Sequence, residues 1–186
     1  MTDIAKSTIL VMATHGFEQS ELESARDQLL RAGASVYVAS PDGQPIRGWH
    51  NGNWGEDVSA DLRISDAQAA RFDALVLPGG QLNSDSLRLD DEAIALIRDF
   101  VSMGRTVAAI CHAPWLLIDA AAVEGRTITS WPSLRRDLEN AGAKVVEAQV
   151  ATDNGIVTSR KPEDIDAFVA KIIEEIETGP HHRDAA

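Results

Sequence analysis

Cys111 is the only thiol in the 186 residues, and His112 follows it directly. A thiolate is a strong nucleophile, and an adjacent imidazole can carry the proton, so the pair fits nucleophilic catalysis. Val107–Ile110 reads as a fully buried strand, and Pro114 suits the first turn of a helix. Cys111 and His112 therefore fall on a strand-to-helix turn. A side chain there points out of the sheet edge, where free helix N–H groups favour an anion, here a thiolate. That is the geometry of a nucleophile elbow. A buried core cysteine is the commoner fate of a lone thiol, and this segment alone leaves both readings open.

Three further pieces could serve such a thiol. The apolar run Asp73–Leu77 ends in Pro78-Gly79-Gly80, whose glycines let backbone N–H groups turn towards a ligand, as an oxyanion site needs. A plain tight turn fits the same residues. Glu18, in the loop Thr14-His-Gly-Phe-Glu18, is the nearest carboxyl by topology. Beside a thiolate it has to be protonated, donating a hydrogen bond to sulfur; a solvated carboxylate at a helix N-terminus is the competing reading. Trp115, three residues after His112, either walls the site or packs its own helix.

The elements around these residues alternate. Thr8–Ala13 predicts a first strand. Leu22, Ala25 and Leu29 keep helical spacing, with Ser20 and Glu23 as a capping box and Gly33 as the stop. Ser35–Ala39 predicts the second strand. The Gly- and Pro-rich stretch from Ser40 to Ser65 holds Trp49 and Trp54 and suits a site wall or an oligomer contact, with a small hairpin expected near Val58–Ile64. A helix follows over Asp91–Met103, then the elbow, with its helix running to about Val123. Thr127–Thr129 suggests a short strand, and Ser133 caps a helix bearing Leu134 and Leu138. Asn154-Gly155 predicts a hairpin between Val145–Ala151 and Ile156–Ser159. The last helix carries a stripe of Ile165, Phe168, Val169, Ile172, Ile173 and Ile176. This order predicts an α/β fold, a doubly wound, mainly parallel, flavodoxin-like sheet with helices on both faces and a small β-hairpin. Its ligand site belongs at the carboxyl ends of the strands. Residues 1–180 read as one domain and 181–186 as a mobile tail.

Composition narrows the function classes. A net charge of −12 and a pI near 4.7 repel phosphate backbones and anionic lipid, so neither nucleic acid nor membrane is an expected partner. No apolar stretch reaches membrane-spanning length and no signal peptide opens the chain, so a cytoplasmic protein is expected. One cysteine and scattered histidines make no zinc site, and no cofactor is expected.

Gly16-Phe-Glu-Gln-Ser-Glu-Leu22, Asp73-Ala-Leu-Val-Leu-Pro-Gly-Gly80 and Ala109-Ile-Cys-His-Ala-Pro-Trp-Leu-Leu-Ile118 together resemble the PfpI intracellular protease family. The resemblance extends through Thr129–Arg135 and Asp153–Pro162. That family lies in the superfamily of the Parkinsonism-associated protein deglycase and shares the class I glutamine amidotransferase-like fold. The resemblance implies Cys111 as nucleophile, His112 as its histidine, Glu18 as the protonated carboxyl at sulfur, and Asp85 as a carboxylate supplied by a neighbouring subunit. Gly79 and Gly80, with the amides at Cys111 and His112, would supply oxyanion donors, and Trp115 would help bind substrate. Ala113 departs from the glycine of many relatives. A homodimer or higher homo-oligomer is implied. The implied function is a stress-response thiol hydrolase acting on carbonyl-damaged (glycated) protein or small aldehydes, with deglycase, glyoxalase III-like and peptidase activities unresolved. The alternative is a non-enzymatic redox sensor with an oxidisable Cys111.

Overall fold

The computed structural model of the chain describes residues 2–179; the tail expected at His181–Ala186 lies outside the described residues. The chain opens with β1 (Thr8–Met12), the short β2 (Phe17–Glu18) and helix α1 (Gln19–Arg31). Next come β3 (Ser35–Ser40), β4 (Ile46–His50), β5 (Asn53–Val58), β6 (Leu62–Arg63) and β7 (Ala74–Leu77). Helices α2 (Gln81–Leu87) and α3 (Asp91–Ser102) precede β8 (Thr106–Ile110) and α4 (Pro114–Asp119). The chain closes with β9 (Thr127–Ile128), α5 (Arg135–Asn140), β10 (Lys144–Val145), β11 (Val150–Asp153), β12 (Ile156–Ser159) and α6 (Ile165–Thr178).

Seven strands form the central sheet in the order β11-β12-β8-β7-β1-β3-β6. All neighbours are parallel except β11, which turns back antiparallel on β12 through Asn154-Gly155. Both turn residues have positive φ, at 48° and 78°, as the sequence predicts. The central strands are apolar on both faces because helices cover both. Leu10, Met12, Val107 and Ala109 face α3, α4 and α5. Ile9, Val11, Ala108 and Ile110 face α1 and α6. The chain winds one way from β1 to β3 and the other from β1 to β7. The switch point lies at β1 and β7, where an open sheet binds its ligand.

Several local expectations are corrected. The hairpin in the Gly-rich stretch is β4–β5, not Val58–Ile64, and it turns at Asn51-Gly52 with φ of 50° and 79°. β4 also pairs with β2, through Phe17↔Gly48 and Glu18↔Trp49, forming a second small sheet beside the first. Glu18 is the N-cap of α1 and its side chain makes no capping bond, so Ser20 and Glu23 are not a capping box. α4 ends at Asp119 because Ala121 takes a left-handed φ of 56°. Ser133 lies in a single 3₁₀ turn ahead of α5, which has no side-chain cap.

Candidate active site

Cys111 follows β8 in a left-handed conformation, φ 63°. A non-glycine residue held there costs about 1–3 kcal/mol and persists only where its surroundings fix it. Both backbone polar groups of Cys111 are committed: its N–H donates to Ser159 O (3.1 Å), and its carbonyl accepts from Trp131 N–H (3.0 Å). The strained turn lifts the side chain into the floor of a cleft of about 520 Å³, lined among others by Glu18, Trp49, Gly80, His112 and Trp131. The cleft lies at the carboxyl ends of β1, β7 and β8, as the topology requires.

The carboxyl at the sulfur is Glu21, not Glu18. Glu21 is 1% exposed, on the face of α1 that also buries Leu22, Ala25 and Leu29. Its Oε2 accepts from Gly79 N–H at 2.8 Å. Oε1 makes no hydrogen bond of ordinary geometry, while the carboxyl as a whole interacts with the Cys111 thiol. Burial pushes the Glu21 pKa up to about 8, outweighing the Gly79 N–H that favours the charged form, and the nearby charge of Glu18 adds to the rise. Glu21 is therefore protonated at neutral pH, the state a carboxyl beside sulfur needs. Glu18 is half-buried at the cleft wall, where its Oε1 accepts from Ser20 Oγ at 3.1 Å.

Burial also pushes the Cys111 thiol up, and negative charge on Glu21 would push it further. Two backbone N–H groups oppose this by hydrogen-bonding the sulfur, those of Gly80 and His112. The resting centre is thus a neutral thiol rather than the thiolate expected from the helix terminus. His112 Nδ1 lies 3.2 Å from Sγ. Burial lowers the His112 pKa below 6.5, so its ring is neutral and able to accept the thiol proton. Two indoles fix that ring: Trp131 stacks on it with centroids 5.9 Å apart, and Trp115 meets it edge-on at 5.5 Å.

The Pro78-Gly79-Gly80 turn needs both glycines. A Cβ on Gly79 would sit 2.5 Å from Glu21 Oε2 and 2.6 Å from Cys111 Cβ. Gly80 has φ 95°, and a Cβ there would collide with Gly16 O and Glu18 N. The buried Asn83 clips the turn in place. Its Nδ2 donates to Pro78 O and Gly79 O (3.1 and 3.2 Å), and its Oδ1 accepts from Thr14 N–H at 2.7 Å. Among the described residues no group of three His, Cys, Asp or Glu side chains is placed to hold a metal ion, and no helix is long and apolar enough to cross a membrane.

The model of the DJ-1/PfpI family matches residues 7–175. The chain belongs to that family. It is 42% identical over 161 residues to a Bacillus subtilis protein named "Putative cysteine protease YraA", covering 86% of this chain and 92% of the relative. It is 40% identical over 163 residues to the Escherichia coli protein/nucleic acid deglycase 2, covering 86% and 92%. Among solved structures, Drosophila melanogaster DJ-1beta superposes with a TM-score of 0.84 at 31% identity, covering 92% of this chain and 90% of that one. A two-domain protein of Anabaena variabilis with DJ-1/ThiJ/PfpI-like and ferritin-like domains gives a TM-score of 0.87 at 26% identity. That match covers 97% of this chain and 52% of that one, so this chain spans about half its length. Family and fold thus agree with the resemblance read from the motifs.

Within this family frame the structure brings Cys111, His112 and Gly80 together in one cleft with Glu18 on its wall, whereas Gly79, Trp115 and Asp85 do not line it. Gly79 gives its N–H to Glu21 and does not face the cleft. The Cys111 amide is taken by Ser159 O, which leaves Gly80 and His112 as the donors. Trp115 is not a cleft wall: its indole N–H donates to Asp137 Oδ2 at 2.9 Å, and Arg88 lies 5.3 Å from its ring centroid. It supports the outer side of His112 instead. Asp85 is exposed on α2 and does not line the cleft of its own chain. Glu21 and Asn83 are the site residues that sequence reasoning missed. Glu21 was visible as a carboxyl on the apolar stripe of α1.

Proposed function

We propose that the chain is a stress-response thiol hydrolase that acts on carbonyl-damaged (glycated) protein or small aldehydes. The observation that carries this is the placement of Cys111 Sγ, between a carboxyl held neutral, an imidazole nitrogen at 3.2 Å and two backbone N–H groups. In the simplest case, a 2-oxoaldehyde, Sγ adds to the aldehyde carbon while its proton passes to His112 Nδ1. The imidazolium returns that proton to the new oxyanion, for which the N–H groups of Gly80 and His112 are the nearest donors. Proton transfer from the former aldehyde carbon to its neighbour turns the hemithioacetal into a thioester. Water then releases a 2-hydroxy acid and restores the thiol. One aldehyde carbon is oxidised and one ketone carbon reduced, so no external oxidant enters. The relatives named deglycase and cysteine protease support this class of chemistry.

A second copy of the chain supplies Asp85 in this reading. Asp85 sits on an exposed face of α2 beside Leu82, 47% exposed, with Leu89 beyond it at 84%. A carboxylate brought against His112 from outside would stabilise the imidazolium formed in the first step.

The test compares wild type, Cys111→Ser and His112→Gln on methylglyoxal-modified peptide in an amine-free buffer. Cys111→Ser falls to background, and His112→Gln loses roughly 10²–10⁴-fold in rate. Equal turnover by wild type and Cys111→Ser removes the proposal. A redox-sensor reading is favoured by one observation, the neutral Glu21 carboxyl against sulfur, which can hydrogen-bond an oxidised sulfur anion. There peroxide converts the thiol to sulfenic acid and water, and a second equivalent gives sulfinic acid. Intact mass after mild peroxide shows a gain of oxygen at Cys111 if this reading holds and an unchanged mass if it fails.

A further inference from the structure

Part of the cleft lining over Cys111 is not used by the proton-transfer groups. Its walls there are the indoles of Trp49 and Trp131, and its rim carries Glu18, Glu163 and Lys161. Glu18 and Trp49 are register partners on paired strands, so carboxylate and indole leave neighbouring backbones at the same level. Trp54 braces Trp49 edge-on at 5.4 Å. Trp131 rests on His112 yet remains 38% exposed. The charges on this part of the lining do not cancel. Lys161 Nζ is 3.8 Å from Glu163 Oε2, on a rim segment fixed by Arg160, whose guanidinium donates to both Asp164 oxygens at 2.8 and 3.1 Å. Those two rim charges offset each other. Glu18 has no cation within ion-pair distance among the described residues, and its hydrogen bond comes from a serine hydroxyl.

We propose that Glu18, Trp49 and Trp131 form a subsite for a positively charged group, a substituted ammonium or guanidinium, carried next to the carbonyl that Cys111 attacks. An indole face attracts a cation through its quadrupole, and aromatic walls with a carboxylate are a known solution for binding substituted ammonium groups. An anion in the same place would meet the surplus charge of Glu18 inside a chain of net charge −12. The substrate class rests on the hydrolase reading; the subsite itself does not.

Because Cys111 is the only cysteine, its labelling tests the subsite without any turnover. The reagents are 2-(trimethylammonio)ethyl and 2-sulfonatoethyl methanethiosulfonate. Each transfers its thioalkyl group to Sγ as a mixed disulfide and releases methanesulfinate. Rates are normalised to those with free 2-mercaptoethanol. The expected cation-to-anion ratio in wild type is about tenfold. Glu18→Gln lowers that ratio at least about threefold, and Glu18→Lys inverts it. Asp99→Asn, which removes one charge from the exposed side of α3, leaves it near the wild-type value. A wild-type ratio of one or below overturns the proposal. So does an equal drop in Glu18→Gln and Asp99→Asn, which would mean that only the long-range field is felt. Turnover of methylglyoxal-modified peptide is measured separately. If wild type and Cys111→Ser turn over equally, the hydrolase reading fails while the labelling ratio still decides the subsite.

Discussion

A carboxyl buried without a cation is stable only as the acid, and Glu21 has just such a position. In the unfolded chain it titrates near its ordinary 4.5, and in the folded chain near 8. Between those values the unfolded state has released a proton that the folded state keeps. Stability therefore falls as pH rises, by about 1.4 kcal/mol per pH unit. The contribution is fully present below pH 4.5, declines through the window and is lost above about 8. Glu21→Gln removes this slope. Urea unfolding from pH 4.5 to 8 should show the variant gaining on wild type by up to about 5 kcal/mol. Parallel curves for the two proteins would mean that Glu21 is ionised in the fold. The sequence made Glu18 the more visible acid because it adjoins the Gly16-Phe17 loop at the strand end. What places Glu21 at the sulfur is helical phase: residues 21, 22, 25 and 29 share the buried face of α1.

Among the elements, most strands and the elbow were legible because short apolar runs stop at glycine, proline or the Asn154-Gly155 turn, whereas the run Val145–Ala151 divides between β10 and β11 in different sheets. The β4–β5 hairpin was harder to place. Its burial does not alternate cleanly, and it is held by β2 and by Gln19, whose Oε1 accepts from Glu56 N–H at 2.9 Å. Those are tertiary contacts with no local signal, although Asn51-Gly52 marked the turn. Asn83 is similar: nothing along the sequence shows that one amide closes β1, β7 and α2 on each other. Asn83→Ala leaves the Thr14 N–H and the two turn carbonyls without this partner. We expect a loss of about 3 kcal/mol in unfolding free energy, checked by the denaturant midpoint at constant slope. A change below about 0.5 kcal/mol, the usual range for surface positions, would show that the turn holds itself.

At the scale of the whole molecule, the two faces of the sheet divide the labour. The α1–α6 side contributes Glu21 and the packing under Cys111, and α4 on the other side brings Trp115 against His112. In the proposed reaction a second copy brings Asp85 to His112. Sedimentation velocity is expected to show a dimer or larger species. Asp85→Asn should lower kcat while each chain still folds, since the residue is exposed within its own chain. A strict monomer with full activity removes Asp85 from the reaction.

The central claim is that Cys111 is a reactive thiol tuned by Glu21, and its alkylation by neutral iodoacetamide at pH 7 tests this most directly. Glu21→Gln replaces a carboxylic O–H by a weaker N–H donor, so labelling should slow by about threefold to tenfold. Glu18→Gln removes a nearby negative charge that opposes the thiolate, so labelling should stay the same or quicken. Slower labelling in Glu18→Gln with an unchanged rate in Glu21→Gln would contradict the account.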